Sequence, residues 1–188
     1  MTKENKPLKS ILFVSRNKDN KHIPNFKERR YVRLTTKTAE ELKKDFDHWA
    51  AKGPEGEFCR FYMKINARDP EKTKKNLIKE LIFNDNFDLV AAEAKIAGIA
   101  NKKECAAERK WLFDFDDTED KLEEFINDIK DCDEASVPLE IEVHKTPNGH
   151  AVIINRGFDT RELMKKWGST VELKKDEMLC VDWTGKGE

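Results

Sequence analysis

The sequence predicts an α+β fold, a mostly antiparallel sheet with helices packed on it. Three observations lead there. Strand-like apolar runs recur along the 188 residues. Helix signals with recognisable caps fall between some of them, in an irregular order rather than a strict alternation. Other runs are joined by short turn-like connections, which suit antiparallel hairpins and cannot hold a parallel crossover.

The elements follow in order. Residues 10–16 (SILFVSR) read as a strand, and the polar stretch Asn17 to Glu28, with Pro24, as a loop. Residues 30–35 (RYVRLT) alternate like a second strand. Thr38 with Glu41 three residues on forms a capping box, and Leu42, Phe46 and Trp49 then share one helix face until KGPEG ends it. Residues 58–65 (FCRFYMKI) are a strong strand, and Asp69-Pro70 opens a helix with an N-cap and a proline at its first position. Leu77, Ile78, Leu81 and Ile82 give that helix an apolar face, and a small-residue helix follows at about 87–100.

Residues 110–116 (KWLFDFD) are a short apolar strand ending in acid, and a helix at 119–131 carries Leu122, Phe125, Ile126 and Ile129. Strands at about 138–145 and 150–155 flank Thr146-Pro147-Asn148-Gly149, where Asn-Gly is a hairpin signal. A short helix at about 160–167 and strands at about 170–174 and 177–183 close the chain. One domain, residues 1–188, is expected, with a basic N-terminal lobe at 1–56 and a core at 57–188.

Charged residues are 39% of the chain and apolar residues 38%, yet the apolar ones arrive in blocks, so the chain buries a core. No run approaches the roughly 20 apolar residues of a membrane span. The opening MTKENKPLKS has no apolar core of a signal peptide, so a cytoplasmic protein is expected. Cys59, Cys105, Cys132 and Cys180 are widely spaced and read as free thiols rather than a zinc site.

The formal net charge of −1 conceals two opposed regions. Residues 1–37 hold eleven Lys/Arg against three Asp/Glu, and residues 114–142 hold two Lys against thirteen Asp/Glu. A basic end suits phosphates; an acidic middle suits a metal ion or plain solvation.

Four clusters are candidates for chemistry. Asp114 and Asp116 in WLFDFD share one side of a strand, where two close carboxylates repel unless a cation such as Mg²⁺ or Mn²⁺ lies between them. Alternatively, the acids here only cap the following helix. The turn Lys145-Thr146-Pro147-Asn148-Gly149-His150 would bring backbone N–H groups and a histidine to a nucleotide phosphate, or is an ordinary hairpin. Asp182, inside LCVDW, is either a third metal ligand or a strand end already in solvent. Arg16, Arg29, Arg30 and Arg33, interleaved with Phe26 and Tyr31, would bind a nucleic-acid backbone and stack on bases, or form a solvated loop.

Together WLFDFD, TPNGH and LCVD resemble, in order, the hhhDhD, sxH and hD motifs of the archaeo-eukaryotic primase superfamily, over roughly residues 58–183. FYMKINARD before a helix resembles the lead-in of phage and plasmid members. The resemblance implies an RRM-like, primase-like sheet and a nucleotidyltransferase working on nucleic acid and NTP or dNTP. Asp114 and Asp116 would hold Mg²⁺ or Mn²⁺, Asp182 would be the third acid, and His150, with Asn148 and Lys145 in its turn, would meet the triphosphate. One departure stands out. The family position for the histidine is held here by Ala151, and alternation turns His150 to the other side of the sheet.

Two further readings accompany it. One is a non-enzymatic, phage-type accessory protein that binds nucleic acid or a host protein, with replication proteins as further partners. The other is a haloacid dehalogenase-like phosphatase, since Asp114-Phe115-Asp116-Asp117-Thr118 fits DxDxT. That motif normally follows a first strand, whereas here only about seventy residues remain.

Overall fold

A computed structural model describes residues 6–185. The chain runs β1 (Lys9–Ser15), β2 (Arg29–Thr35), α1 (Ala39–Ala50), β3 (Cys59–Lys64), α2 (Pro70–Phe83), α3 (Ala92–Ala100), β4 (Trp111–Phe115), α4 (Leu122–Cys132), β5 (Ile141–Lys145), β6 (His150–Ile154), α5 (Arg161–Trp167), β7 (Val171–Lys175) and β8 (Met178–Thr184). The α+β class and the order of elements are those the sequence pattern predicts. The strands, however, divide into two four-stranded antiparallel sheets, ordered β2-β1-β3-β8 and β5-β6-β4-β7. Within the segment expected as a basic N-terminal lobe, β1 and β2 pair into one sheet with β3 and the last strand. Residues 1–5 and 186–188 of the expected domain lie outside the described residues. Among the described residues no helix is long and apolar enough to cross a membrane.

Each sheet buries one face under helices. In the first sheet Ile11, Phe13, Cys59, Phe61 and Met63 pack under Leu42 and Phe46 of α1. Thr38 starts that helix with both halves of the capping box formed. In the second sheet Phe113, Phe115, Val152 and Ile154 pack under Phe125 and Ile129 of α4 and Leu163 and Trp167 of α5. Alternation turns the intervening residues inward. Ile65, Leu112, Ala151, Ile153 and Leu179 form a third cluster that joins the two sheets. The layers are α1, first sheet, second sheet, then α4 with α5, and α3 packs beside α2 and against β2.

A polar tie also joins the sheets. Arg68 has a fully buried side chain, and its guanidinium grips the Asp176 carboxylate with both terminal nitrogens. Asp176 sits in the β7–β8 turn at φ 57°, a left-handed conformation uncommon outside glycine but tolerated by Asp. Asn66 donates to the same carboxylate at 3.1 Å and to Lys110 O at 3.1 Å, and accepts from Lys110 N at 2.7 Å. Lys64 Nζ donates to Asp176 O. The segment KINARD thus fixes β3, the start of β4 and the β7–β8 turn relative to one another.

Asp176→Ala leaves a buried guanidinium unpaired, so it is expected to cost about 3–5 kcal/mol of unfolding free energy in chemical denaturation. Asp176→Asn, which keeps the left-handed preference and one acceptor, is expected to cost less.

Candidate functional site

The site is a cleft between the inner faces of the two sheets. Its volume is about 500 Å³. β4 supplies the acids. Phe113 and Phe115 point to the helices, which leaves Leu112, Asp114 and then Asp116 facing the cleft. The opposite wall comes from the first sheet. Phe13 and Phe61 point to α1, which leaves Leu12, Val14 and Arg16 after β1, Arg30 on β2, and Arg60 and Tyr62 on β3 facing inward. Four carboxylates, Asp114, Asp116, Glu172 and Glu177, and three guanidiniums thus line one space.

The electrostatics set the two acids apart. Lys174 Nζ donates to Asp114 Oδ2 at 2.5 Å and pairs with Glu172 at 3.1 Å. Asp114 and Glu172 are register partners on β4 and β7. Like charges opposed on adjacent strands repel, and Lys174 lies between them. Burial acts to lower the Lys174 pKa, but its bonds to Asp114 and Glu172 outweigh that and raise it. Asp116 has no hydrogen-bond donor to its carboxylate among the described residues, and desolvation together with the Asp114 charge raises its pKa.

The basic wall is held open by its own acids. Arg16 pairs with Asp19 at 2.7 Å and Arg60 pairs with the other oxygen of Asp19 at 3.1 Å. Arg30 pairs with Glu28. The loop between β1 and β2 that carries these partners is anchored by buried Asn20, which accepts from Phe58 N at 2.6 Å and donates to Phe58 O at 3.0 Å. It is therefore a fixed part of the cleft rather than a solvated loop. Lys18 also lines it.

Several expected site residues lie elsewhere. His150 pairs with Phe115 and shares the helix-covered face with Val152 and Ile154, with Nε2 4.0 Å from Glu119. Ala151 takes the cleft position opposite Asp114. Lys145 is the register partner of His150 and points the same way. Asn148, with Thr146 and Pro147, does reach the cleft. Asp182 is turned to α1, where it pairs with Lys43 at 2.9 Å. The cause is a β-bulge: Phe61 pairs with Asp182 but Tyr62 with Cys180, so the extra residue Val181 flips the face of Asp182. Arg29 pairs with Glu57 and stacks on Trp49, and Arg33 pairs with Asp45 and lies over Tyr31, both on the α1 side.

The residues the sequence reading passed over are Glu172, Lys174 and Arg60. Only the β4–β7 register sets Glu172 beside Asp114, and no local motif carries it. Arg60 had a signal: in CRFYMK, Arg60, Tyr62 and Lys64 alternate with Cys59, Phe61 and Met63. The cysteines are free thiols, three of them buried. Burial pushes Cys59 up to about 11 and Cys180 up to about 12.

No protein-family model, curated protein or solved structure matches this chain. The functional reading therefore rests on the cleft itself.

Gly149 sets the height of the TPNG turn over that cleft. A Cβ there would lie 2.3 Å from Phe115 O and 3.4 Å from Asp116 Oδ1. Gly149→Ala is expected to shift the turn off the end of β4 and destabilise the protein by about 1–3 kcal/mol, read from the unfolding midpoint.

Proposed function

We propose that this chain is a primase-polymerase-like nucleotidyltransferase core that acts on nucleic acid and NTP or dNTP with Mg²⁺ or Mn²⁺. One observation carries the reading: Asp114 and Asp116 face Arg16, Arg30 and Arg60 across a single cleft between two antiparallel sheets. Carboxylates on one wall suit a divalent ion, and guanidiniums on the other suit phosphate oxygens.

The residues fit a metal in their chemistry. The Asp116 carboxylate lacks a donor among the described residues, and its pKa is raised first by desolvation and then by the Asp114 charge, both of which a bound cation would offset. Glu172, not Asp182, is the third acid on the cleft side. Among the described residues no three His, Cys, Asp or Glu side chains are gathered closely enough to hold a metal. Lys174 instead serves as the counter-ion of Asp114 and Glu172. A divalent ion bound there would neutralise phosphate charge and activate the attacking oxygen. Arg16, Arg30 and Arg60 would hold the polyphosphate against the acids, and the fixed turn at Thr146–Asn148 would close one end of the cleft. Were an ion to take the carboxylates it now pairs with, Lys174 would be available to a phosphate.

The position of His150 outside the cleft favours a second reading, in which the cleft binds nucleic acid without polymerising. A phosphatase of the DxDxT kind gains no support, because Asp114 lies on the fourth strand of the chain and that strand is antiparallel to both neighbours.

Primer extension with labelled dNTP and Mn²⁺ separates these readings. Incorporation is expected in the unaltered chain and in His150→Ala, and is expected to vanish in Asp114→Ala. Absence of incorporation with every metal, alongside salt-dependent DNA binding, selects the binding module.

The raised Asp116 pKa has a definite sign. Its contribution to stability is present at low pH and is lost as pH rises through the folded value, which lies above the usual carboxylate range. Asp116→Asn is therefore expected to raise the metal-free thermal midpoint at neutral pH and to remove the further rise produced by Mn²⁺ in the unaltered chain. An unchanged Mn²⁺ response would exclude Asp116 as a ligand.

A further inference from the structure

A second recess, larger than the cleft at about 840 Å³, lies at the other end of β4. It runs past Lys72, Lys103, Arg109, Lys110, Trp111 and Lys175. Trp111 opens β4 and Asp116 follows its last residue, so the recess lies about 16 Å from the acids along the strand.

The arginine here differs from the others in the chain. Of nine arginines, eight have a carboxylate within 4 Å. Arg109 is the exception among the described residues, and it is exposed. Lys103 and Lys175 likewise form no ion pair among those residues. The acids in the wall are largely committed: Asp176 to Arg68, and Glu108 to the Ala67 N–H at 3.0 Å. Glu104 is the remaining acid.

An aromatic surface lies among these cations. Trp111 is half-buried, with Gly157 packed against its ring and Lys175 Nζ 4.1 Å from the ring centroid. Gly157 is pinned there, since a Cβ would meet the indole at 2.1 Å. Lys175 is an exposed, flexible cation over the ring, which an unpaired base would displace from the indole while the ammonium moves to its phosphate.

We infer that this recess binds single-stranded nucleic acid, with Lys103 and Arg109 on successive phosphates and Trp111 under a base. Uncommitted cations beside an indole fit a polyanion with stacked bases better than they fit an isolated phosphate. The inference extends the nucleotidyltransferase reading by giving the cleft a strand-holding groove at the far end of its catalytic strand.

The test is anisotropy of a labelled single-stranded oligonucleotide of about 12 nucleotides, titrated with the full chain in chelator between about 50 and 200 mM salt. Lys103→Glu/Arg109→Glu is expected to weaken binding at least tenfold. Loss of two phosphate contacts is also expected to make the log–log salt dependence shallower by about 1.4. A thermal midpoint equal to that of the unaltered chain shows that the charge reversals leave the fold intact. Binding within twofold of the unaltered chain overturns the inference, and so does tighter binding of a duplex of equal length. Because chelator removes the metal, the two readings fail separately. A chain that binds through this groove but never incorporates nucleotide overturns only the nucleotidyl-transfer reading.

Discussion

The Arg68–Asp176 pair is the constraint on which the arrangement of the two sheets depends. A guanidinium with no solvent contact is costly to bury, and here that cost is offset by a carboxylate gripped through both terminal nitrogens. Its location matters more than its strength. Arg68 follows β3 of the first sheet, and Asp176 terminates β7 of the second. Asn66 adds β4 by bonding both the N–H and the carbonyl of Lys110. Three strands that are distant in sequence therefore meet in one polar cluster.

That cluster explains how the cleft stays open. Two inward sheet faces would close completely if both were apolar, as they do at Ile65, Leu112, Ala151, Ile153 and Leu179. Past that apolar contact the inward positions become Asp114 and Asp116 on one side and Arg30 and Arg60 on the other. Neither set can bury itself without partners. Asp114 is satisfied locally through Lys174 and the arginines through Asp19 and Glu28, while Asp116 is left without a donor among the described residues. The space between them is left to water or a ligand of mixed charge, such as a metal-bound phosphate.

The fold was legible from the sequence because its signals are local. The capping box at Thr38, Asp69-Pro70, the Asn-Gly turn and the period-two runs each act within a few residues. The division into two sheets was not legible, since it depends on β8 returning to β3 and β7 to β4. The site divides along the same line. The shared face of Asp114 and Asp116 is a property of one strand, and alternation alone turned His150 away. Asp182 was misplaced because the LCVD alternation assumes a regular strand, and the bulge at Val181 breaks that regularity. Arg29 and Arg33 were grouped with Arg16 and Arg30 by composition, although strand alternation sends them to opposite faces.

The opposed charges of the chain take a different meaning in three dimensions. Most of the acid after Asp116 lies on α4 and the segments beside it, while Asp114 and Asp116 themselves sit between cations of both sheets. The basic N-terminal third is likewise divided. Arg29 and Arg33 brace α1 against the first sheet, and Arg16 and Arg30 look into the cleft. Net charge along the sequence thus overstates how many residues serve the cleft. Arg16, Arg30 and Arg60 each keep a carboxylate partner, so a phosphate in the cleft would compete with Asp19 and Glu28 for them. Lys103, Arg109 and Lys175, which form no ion pair among the described residues, instead gather beside Trp111, at the opposite end of the strand that ends in the acids.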